Sequence, residues 1–281
     1  MWSEPSECAM TIEQARSMLF VPGDRAERFA KALGSGADAI IIDLEDAVLP
    51  ASKASARKAI AEHFGEGAAS NVLVRVNAAG TEWHDDDLAL CRRTGIAGIV
   101  LPKAEDSART EAARRVSGKA VVPIVESALG LANLDEIARS QSVVRLILGT
   151  IDLALDLDIR LGSEGGSRIL DAARYHMVVA SRAAGRASPV DGVHTSIKDN
   201  EGLSRTAAFA RDSGFGGMLC IHPAQCATVN AAFRPTDAER AWAAKVVGAA
   251  ERNPGAFQLE GQMIDAPVVA RARRIQQQPA T

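Results

Sequence analysis

The chain has 281 residues, of which 47% are hydrophobic, 24% charged and 4% aromatic. This is an ordinary globular composition with enough apolar material for a core, and the length suits a single α/β barrel. Lys and Arg number 32 against 35 Asp and Glu, a formal charge of −3. That balance gives no reason to expect nucleic acid or an anionic membrane as a partner.

The N-terminal segment, about the first fifteen residues, is predicted to be a poorly ordered lead-in. Glu4, Glu7 and Glu13 stand where a secretory signal would need basic residues, and no apolar run is long enough to span a membrane. The four cysteines lack the spacing of a metal site or a disulfide framework, which indicates reduced thiols. We therefore expect a cytoplasmic protein.

Eight short apolar segments, each bounded by Gly, Pro or polar residues, predict β-strands. In chain order they are SMLFVPG from Ser17, AIIIDLEDA from Ala39, NVLVRVN from Asn71, GIVLPK from Gly98, VVPIVES from Val121, VVRLILGTID from Val143, SPVDGVHT from Ser188 and GGMLCIHP from Gly216. Ala-rich, charged stretches of helical length alternate with them, which indicates a parallel sheet covered on both faces. The count of eight favours a closed (β/α)8 TIM barrel, and the missing early Gly-rich dinucleotide fingerprint disfavours a doubly wound sheet.

The longest helical stretch is SRILDAARYHMVVASRAAG from Ser167. Spacings of three and four predict one buried face made of Ile169, Ala172, Ala173, His176, Met177 and Ala180. The pattern changes past Pro223, where helical text is followed by a Pro–Gly break and a final helix-like run. We predict a barrel over residues 16–235 and a C-terminal helical extension over 236–281 that acts as a lid or a subunit arm.

Active-site groups of such a barrel lie at the carboxyl ends of its strands and in the loops that follow. The polar residues at these positions are Arg25, Asp43, Glu45, Asp46, Arg75, Asn77, Lys103, Glu126, Asp152, Asp191, His194 and His222. Strands 2 to 6 all end in charge directly after an apolar run. The sequence therefore predicts a cluster of acids and bases at one end of the barrel.

Glu126 and Asp152 end consecutive predicted strands and are the candidate metal ligands. Two carboxylates plus waters are a usual arrangement for Mg2+, and the surroundings lack the Cys or His cluster that zinc selects. The alternative is that these acids are structural partners of Arg side chains or of helix N-termini. We predict a Mg2+ site and leave the structural alternative open.

Arg75 is the candidate for binding a substrate carboxylate, because its planar guanidinium offers two parallel hydrogen bonds. It could instead form a structural ion pair with Asp43 or Glu45, and the two interpretations are compatible. Covalent catalysis has little support, because no Ser or Cys lies in a nucleophile-elbow setting. Lys103 is the only plausible Schiff-base lysine, and the neighbouring acids would keep it protonated.

Several segments in order carry a family resemblance. They are RSMLFVPGDR, KALGSGADAIIIDLEDAVLPASKASAR, VRVN, LPK, IVESALGL, GTID, GFGGMLCIHPAQ and GQMIDAP, running from about Arg16 to about Arg273. Together they resemble the citrate lyase β-subunit family, which also holds malyl-CoA and related 3-hydroxyacyl-CoA lyases. The resemblance implies a TIM barrel, Mg2+ and reversible carbon–carbon cleavage of a CoA or acyl-carrier thioester.

Carried over by motif, the resemblance implies that Glu126 and Asp152 hold the metal and that Arg75 binds the carboxylate of the keto-acid half. Asp43, Glu45 and Asp46 would orient Arg75 and metal-bound water.

The resemblance also implies roles outside this cluster. Arg25 and Lys31 are the positions assigned to the CoA phosphates. Family members commonly trimerise, so we expect a homo-oligomer in which Asp265 enters the cavity of the adjacent subunit and protonates the enolate.

Three functions remain open from the sequence. The first is cleavage of a 3-hydroxy-carboxyacyl-CoA such as citryl-CoA or malyl-CoA; the second is malate synthase-like or malyl-CoA thioesterase activity; the third is binding of a CoA ester without turnover. The combined presence of Arg75, Glu126, Asp152 and Asp265 disfavours the third. Ile151 replaces a residue that is often polar in the family, and Asp156 and Asp158 could compete as metal neighbours.

Overall fold

The computed structural model describes residues 11–65, 67 and 69–278. The chain forms two compact units, the first ending at Ala232 and the second beginning at Phe233. Within the described residues, eight parallel strands follow one another around a closed barrel, and the last pairs with the first. They are β1 (Ser17–Pro22), β2 (Ala39–Asp43), β3 (Ala69–Arg75), β4 (Ile96–Leu101), β5 (Ala120–Val125), β6 (Ile147–Leu148), β7 (Val190–Asp191) and β8 (Gly217–Cys220). The predicted (β/α)8 TIM barrel is confirmed.

Helices connect the strands. Along the first unit they are α1 (Phe29–Leu33), α2 (Lys53–Phe64), α3 (His84–Arg92), α4 (Ser107–Ser117), α5 (Ala128–Ala132), α6 (Leu134–Arg139), α7 (Thr150–Asp156), α8 (Glu164–Ala183), α9 (Asn200–Asp212) and α10 (Pro223–Phe233). Asp106, Ser127, Ser163 and Asp199 each accept the N–H of the third following residue, so their side chains start α4, α5, α8 and α9.

The barrel interior is filled by alternate strand residues such as Ile41, Leu73, Val100 and Ile147. Ile12 and Ala15 are buried in the same cluster, so the lead-in prediction is wrong for that stretch. Burial of these two apolar side chains at the floor of the barrel stabilises the folded state. Residues 1–10, the rest of the predicted lead-in, lie outside the described residues.

Arg145 lies fully buried next to this floor. Its guanidinium donates to the carbonyls of Ile12, Ala15 and Ser188, at 3.0, 2.5 and 2.6 Å.

Val143, where the sequence predicts the sixth strand to begin, forms an isolated bridge with Val121, and regular pairing starts at Ile147. The strand is therefore shorter than predicted.

Helix α8 buries part of the face that the spacing predicts, because Ala173, Met177 and Ala180 are buried as expected. Leu170, Ala173, Met177 and Ala180 are buried, whereas Ile169 and Ala172 are exposed. The prediction was wrong for these two positions because two apolar stripes overlap in this Ala-rich stretch. Spacing alone does not tell which stripe faces the strands.

The second unit contains α11 (Asp237–Ala250), the antiparallel strands β9 (Phe257–Leu259) and β10 (Gln262–Ile264), and α12 (Ala266–Gln277). Ala243, Val246, Ile264 and Ala272 form its buried cluster. The hairpin was missed by the sequence prediction, because its strands have three residues each and show almost no alternation. In the described part of the chain, no helix has the length and apolar character needed to cross a membrane.

Candidate functional site

A pocket of about 430 Å³ opens at the carboxyl ends of the barrel strands. Its charged lining is Asp43, Asp46, Arg75, Glu126 and Asp152, contributed from strand ends 2, 3, 5 and 6. The apolar wall includes Phe20, Ile124, Val193, Leu219 and Ile221. The barrel thus brings Arg75 and four of the predicted strand-end acids to one cavity.

Arg75 is held by a two-pronged ion pair with Asp43. Nε lies 2.7 Å from Oδ1 of Asp43, and Nη2 lies 2.6 Å from Oδ2. Nη1 lies 3.1 Å from Glu45 and 3.5 Å from Asp46, and the ring of Phe20 is 4.8 Å from Cζ. Burial alone would lower the pKa of Arg75, but hydrogen bonding to Asp43 and the surrounding acids raise it above its usual value.

Asp43 also organises the chain that leaves β2. Its Oδ1 accepts the N–H of Glu45 at 2.8 Å, and its Oδ2 accepts the N–H of Ala47 at 3.0 Å. Each carboxylate oxygen therefore binds both the guanidinium of Arg75 and one main-chain amide. This arrangement explains why an apolar strand ends in acids: the turn is built around Asp43, which fixes Arg75.

Glu45 is buried between two cations. Its Oε2 lies 3.1 Å from Nη1 of Arg75 and its Oε1 lies 3.4 Å from Nζ of Lys103. Among the described residues, neither oxygen accepts a hydrogen bond of good geometry. Burial raises the pKa of Glu45 to about 7, although Arg75 opposes the shift.

Glu126 follows β5 and is buried at the edge of the pocket. Its Oε1 accepts the backbone N–H of Lys103 at 2.8 Å, and Lys103 has a φ of 49°. A left-handed conformation costs a non-glycine residue about 1 kcal/mol, so the turn after β4 is strained where it contacts Glu126. Burial raises the pKa of Glu126 to about 8, and Glu45 and Asp152 add to the shift.

The β6 to α7 junction places Asp152 in the same pocket as Glu126. Gly149 precedes α7, and a Cβ at this position would lie 2.6 Å from both Cβ and Oε2 of Glu126. Glycine is therefore required here by close approach. Asp152 follows in the first turn of α7, where the helix dipole favours a negative charge.

This pair of carboxylates fits a hard divalent cation. Glu126 is a buried acid whose pKa is raised chiefly by burial, and a cation beside it would favour its charged form. Across the described residues, no group of three or more His, Cys, Asp or Glu side chains could hold a metal. Two carboxylates that line one pocket suit an ion that keeps waters and binds substrate oxygens.

Other predicted positions lie elsewhere. Arg25 and Lys31 are exposed and are not part of the pocket lining, and Asp265 starts α12 by accepting the N–H of Val268 at 3.3 Å. Their proposed roles stay predictions. Asp156 is not part of the pocket lining, and its carboxylate accepts the N–H of Ala128 at 2.6 Å. This hydrogen bond gives Asp156 a structural role.

Asp191 at the end of β7 is part of an ion pair outside the pocket lining. Its Oδ2 accepts from Nε of Arg174 on α8 at 2.9 Å, and Oδ1 accepts the N–H of Gly192. It therefore fastens α8 to β7.

Sequence reasoning missed Lys53 and Gly149. Lys53 precedes Ala56, Ile60 and Phe64 at helical spacings of three and four, and these residues form the buried face of α2, so this spacing was the available signal for its burial. Gly149 precedes the candidate ligand Asp152, so a glycine adjoining a strand-end acid was the available signal.

The closed parallel barrel with a charged pocket at its carboxyl end defines a (β/α)8-barrel protein with a candidate active site there. Residues 16–223 match the HpcH/HpaI aldolase/citrate lyase family, which is most of the chain. The chain belongs to this family, and the resemblance seen in the sequence is confirmed.

Relatives and solved structures support the same placement. The citrate lyase subunit beta-like protein of Mycobacterium tuberculosis is 37% identical over 257 residues, covering 90% of this chain and 92% of the relative. A (3S)-malyl-CoA thioesterase of Cereibacter sphaeroides is 36% identical, covering 92% of each chain. The crystal structure of CitE from M. tuberculosis with magnesium, acetoacetate and coenzyme A has a TM-score of 0.83 at 35% identity, covering 95% of this chain and 99% of that one.

Proposed function

We propose that the protein is a Mg2+-dependent lyase that breaks a carbon–carbon bond of a 3-hydroxy-carboxyacyl-CoA, of the citryl-CoA or malyl-CoA type. The products would be a keto acid and an acyl-CoA. The observation that carries the proposal is that one pocket contains both the Arg75 guanidinium and the carboxylates of Glu126 and Asp152. The magnesium, acetoacetate and coenzyme A bound to the similar CitE structure support it.

Glu126 and Asp152 would hold the ion. When bound, Mg2+ would supply Lewis-acid polarisation of the carbonyl that develops on the keto-acid half. The backbone N–H of Lys103 keeps Glu126 in place, and Gly149 leaves room for its carboxylate. The protein's own part in metal binding would thus be to present two carboxylates in one pocket, with Glu126 held in place by Lys103.

Arg75 would bind the carboxylate of the keto-acid half. Its guanidinium has five N–H donors, and Asp43 uses one on Nε and one on Nη2. The edge formed by Nη1 and Nη2 keeps donors for a second carboxylate. Asp43 fixes the plane of the guanidinium, and Glu45 and Asp46 keep Nη1 on that side of the pocket.

The cleavage needs two proton transfers. A base takes the proton of the substrate hydroxyl, the electron pair of the broken bond passes to the thioester half as an enolate, and that enolate carbon then gains a proton. We assign the second transfer to Asp265, supplied by the adjacent subunit of a homo-oligomer, with a trimer favoured. Arg25 and Lys31, exposed on the chain that follows β1, would bind the CoA phosphates.

A panel of 3-hydroxy-carboxyacyl-CoA thioesters, with and without EDTA, tests the proposal. Keto acid is measured as its hydrazone, and free CoA is measured separately by its thiol. A lyase releases keto acid in step with acyl-CoA, without free thiol, and loses this activity in EDTA. Failure of every substrate to release keto acid would contradict the proposal, and release of neither keto acid nor free CoA would favour a CoA-ester-binding protein.

Thioester hydrolysis is the second candidate, favoured by the similarity to the (3S)-malyl-CoA thioesterase. In this case free thiol appears without keto acid. Condensation combined with hydrolysis, as in a malate synthase-like reaction, would instead consume keto acid and acyl-CoA while releasing thiol. Measuring keto acid and free thiol therefore distinguishes cleavage, hydrolysis and condensation from one another.

A further inference from the structure

A buried lysine lies behind the acids that hold Arg75. Lys53, the first residue of α2, has only 4% of its surface exposed. Its Nζ donates to the carbonyls of Leu44 and Glu45 at 2.8 and 3.0 Å and to Oδ1 of Asn77 at 2.6 Å. An ammonium group has three N–H donors, so all of them point at fixed acceptors.

Asn77 extends this arrangement away from the pocket. Its Nδ2 donates to the carbonyl of Leu44 at 3.0 Å and to Oδ2 of Asp87 at 2.6 Å. Asp87 also accepts the N–H of Asn77 at 2.8 Å and Nη1 of Arg57 at 3.0 Å. The carbonyl of Leu44 is thus held by two donors, each tied to helices α2 or α3 outside the barrel.

The two carbonyls belong to the turn whose acids contact Arg75. Leu44 and Glu45 lie between Asp43 and Asp46, and the N–H of Leu44 donates to the carbonyl of Arg75 at 2.9 Å. Movement of these carbonyls would move the amides of Glu45 and Ala47, which bind Asp43. Asp43 would then lose the geometry that directs the guanidinium.

We propose that Lys53 is a positioning residue that fixes the turn after β2, so that Asp43 holds Arg75 in the orientation that binds a substrate carboxylate. The carboxylate-binding part rests on the proposed function. An aliphatic side chain would fill the same space but would leave both carbonyls with fewer donors. Leu44 would keep the donor of Asn77 and Glu45 the N–H of Val48, but each carbonyl would lose its hydrogen bond to a charged donor, so the turn would rearrange.

Lys53→Met tests the proposal with a side chain of similar length and no charge. Lys119→Met is the matched control, because Nζ of Lys119 also donates to a main-chain carbonyl, that of Thr94 at 2.6 Å, near the start of β4. Lys53→Arg is a second variant that keeps the charge but cannot aim three N–H groups at the same acceptors. Its role is to keep the test informative if the Met variant does not fold.

The first measurement is hydrogen exchange in the metal-free proteins and needs no ligand. We expect the amides of Glu45 and Ala47 to exchange about tenfold faster or more in Lys53→Met, and to be unchanged in Lys119→Met, because a lost hydrogen bond is worth about 1.4 kcal/mol. Equal exchange in Lys53→Met and wild type would overturn the proposal. This outcome does not depend on any reaction of the protein.

The second measurement compares pyruvate and Mg2+ affinity by calorimetry. We expect pyruvate, titrated with Mg2+ present, to bind about tenfold more weakly to Lys53→Met, with Mg2+ affinity changed less than about twofold. Equal weakening of both would show a general structural role and contradict positioning. If wild type itself does not bind pyruvate, the exchange measurement alone decides the role of Lys53, and the thioester panel decides the proposed function.

Discussion

Two buried acids in the pocket region, Glu45 and Glu126, have raised pKa values, and Glu45 shows the consequence most clearly. Its carboxylate lies between Arg75 and Lys103, yet burial outweighs these cations and raises its pKa to about 7. A carboxyl whose pKa rises on folding binds its proton more tightly in the folded state. The free energy of unfolding therefore falls as pH increases from about 4.5, the ordinary value, to about 7.

Glu45→Gln should accordingly stabilise the metal-free protein at high pH. We expect its melting temperature in EDTA to exceed that of wild type by about 2–5 °C at pH 8 and to match it near pH 5. Glu164→Gln is the control, because the Glu164 side chain is 81% exposed and pairs with Arg168 on the surface. A lower melting temperature of Glu45→Gln at pH 8 would show that the ion pairs outweigh burial.

Some residues of the site could be predicted from the sequence and others could not. Arg75, Glu126 and Asp152 were found because polar residues at the ends of apolar strands stand out, and the barrel brings them together. Lys53 was not found, because two of its partners are main-chain carbonyls, eight and nine residues before it in the chain. Such contacts leave no pattern in the positions of side-chain types.

At the scale of elements, the junction between β6 and α7 determines whether Glu126 and Asp152 share one pocket. Gly149 provides the space against Glu126, and α7 begins directly after it. The alternation of strands and helices was predictable from apolar runs. The short extent of β6 and the buried face of α8 were not, because pairing partners and packing direction depend on neighbouring elements.

Gly149→Ala should displace Glu126, since the new Cβ would lie 2.6 Å from its Oε2. We expect Mg2+ affinity, measured by calorimetry, to fall at least about tenfold, with a loss of stability of about 1–3 kcal/mol from overpacking. Gly165→Ala on α8 is the control, because its Cβ would meet no atom within 4 Å. Unchanged Mg2+ binding by Gly149→Ala would show that Mg2+ binding does not need a glycine at position 149.

At the scale of the whole molecule, the chain divides into a barrel that contains the pocket and a second unit that contains Asp265. Asp265 accepts the N–H of Val268 at the start of α12, which fixes its backbone but leaves its proposed catalytic role to be tested. A site completed by a neighbouring subunit needs a closed oligomer in which every pocket receives one arm.

Mixing two inactive variants tests this sharing of sites. Arg75→Ala and Asp265→Asn should each lose most lyase activity, and a co-refolded mixture should recover about a quarter of the wild-type value. This fraction is expected because random assembly pairs an intact pocket with an intact neighbouring Asp265 in about one site of four. No recovery, with oligomers of mixed composition shown by mass spectrometry, would place Asp265 outside the neighbouring pocket.

Glu126 and Asp152 together are proposed to bind Mg2+, and a calorimetric titration measures this binding itself. We expect wild type to bind one Mg2+ per chain, Glu126→Gln and Asp152→Asn to lose detectable binding, and Asp156→Asn to bind as wild type does. Asp156 is the matched control because it lies close in sequence but contacts the amide of Ala128. Undiminished Mg2+ affinity in either Glu126→Gln or Asp152→Asn would contradict the account.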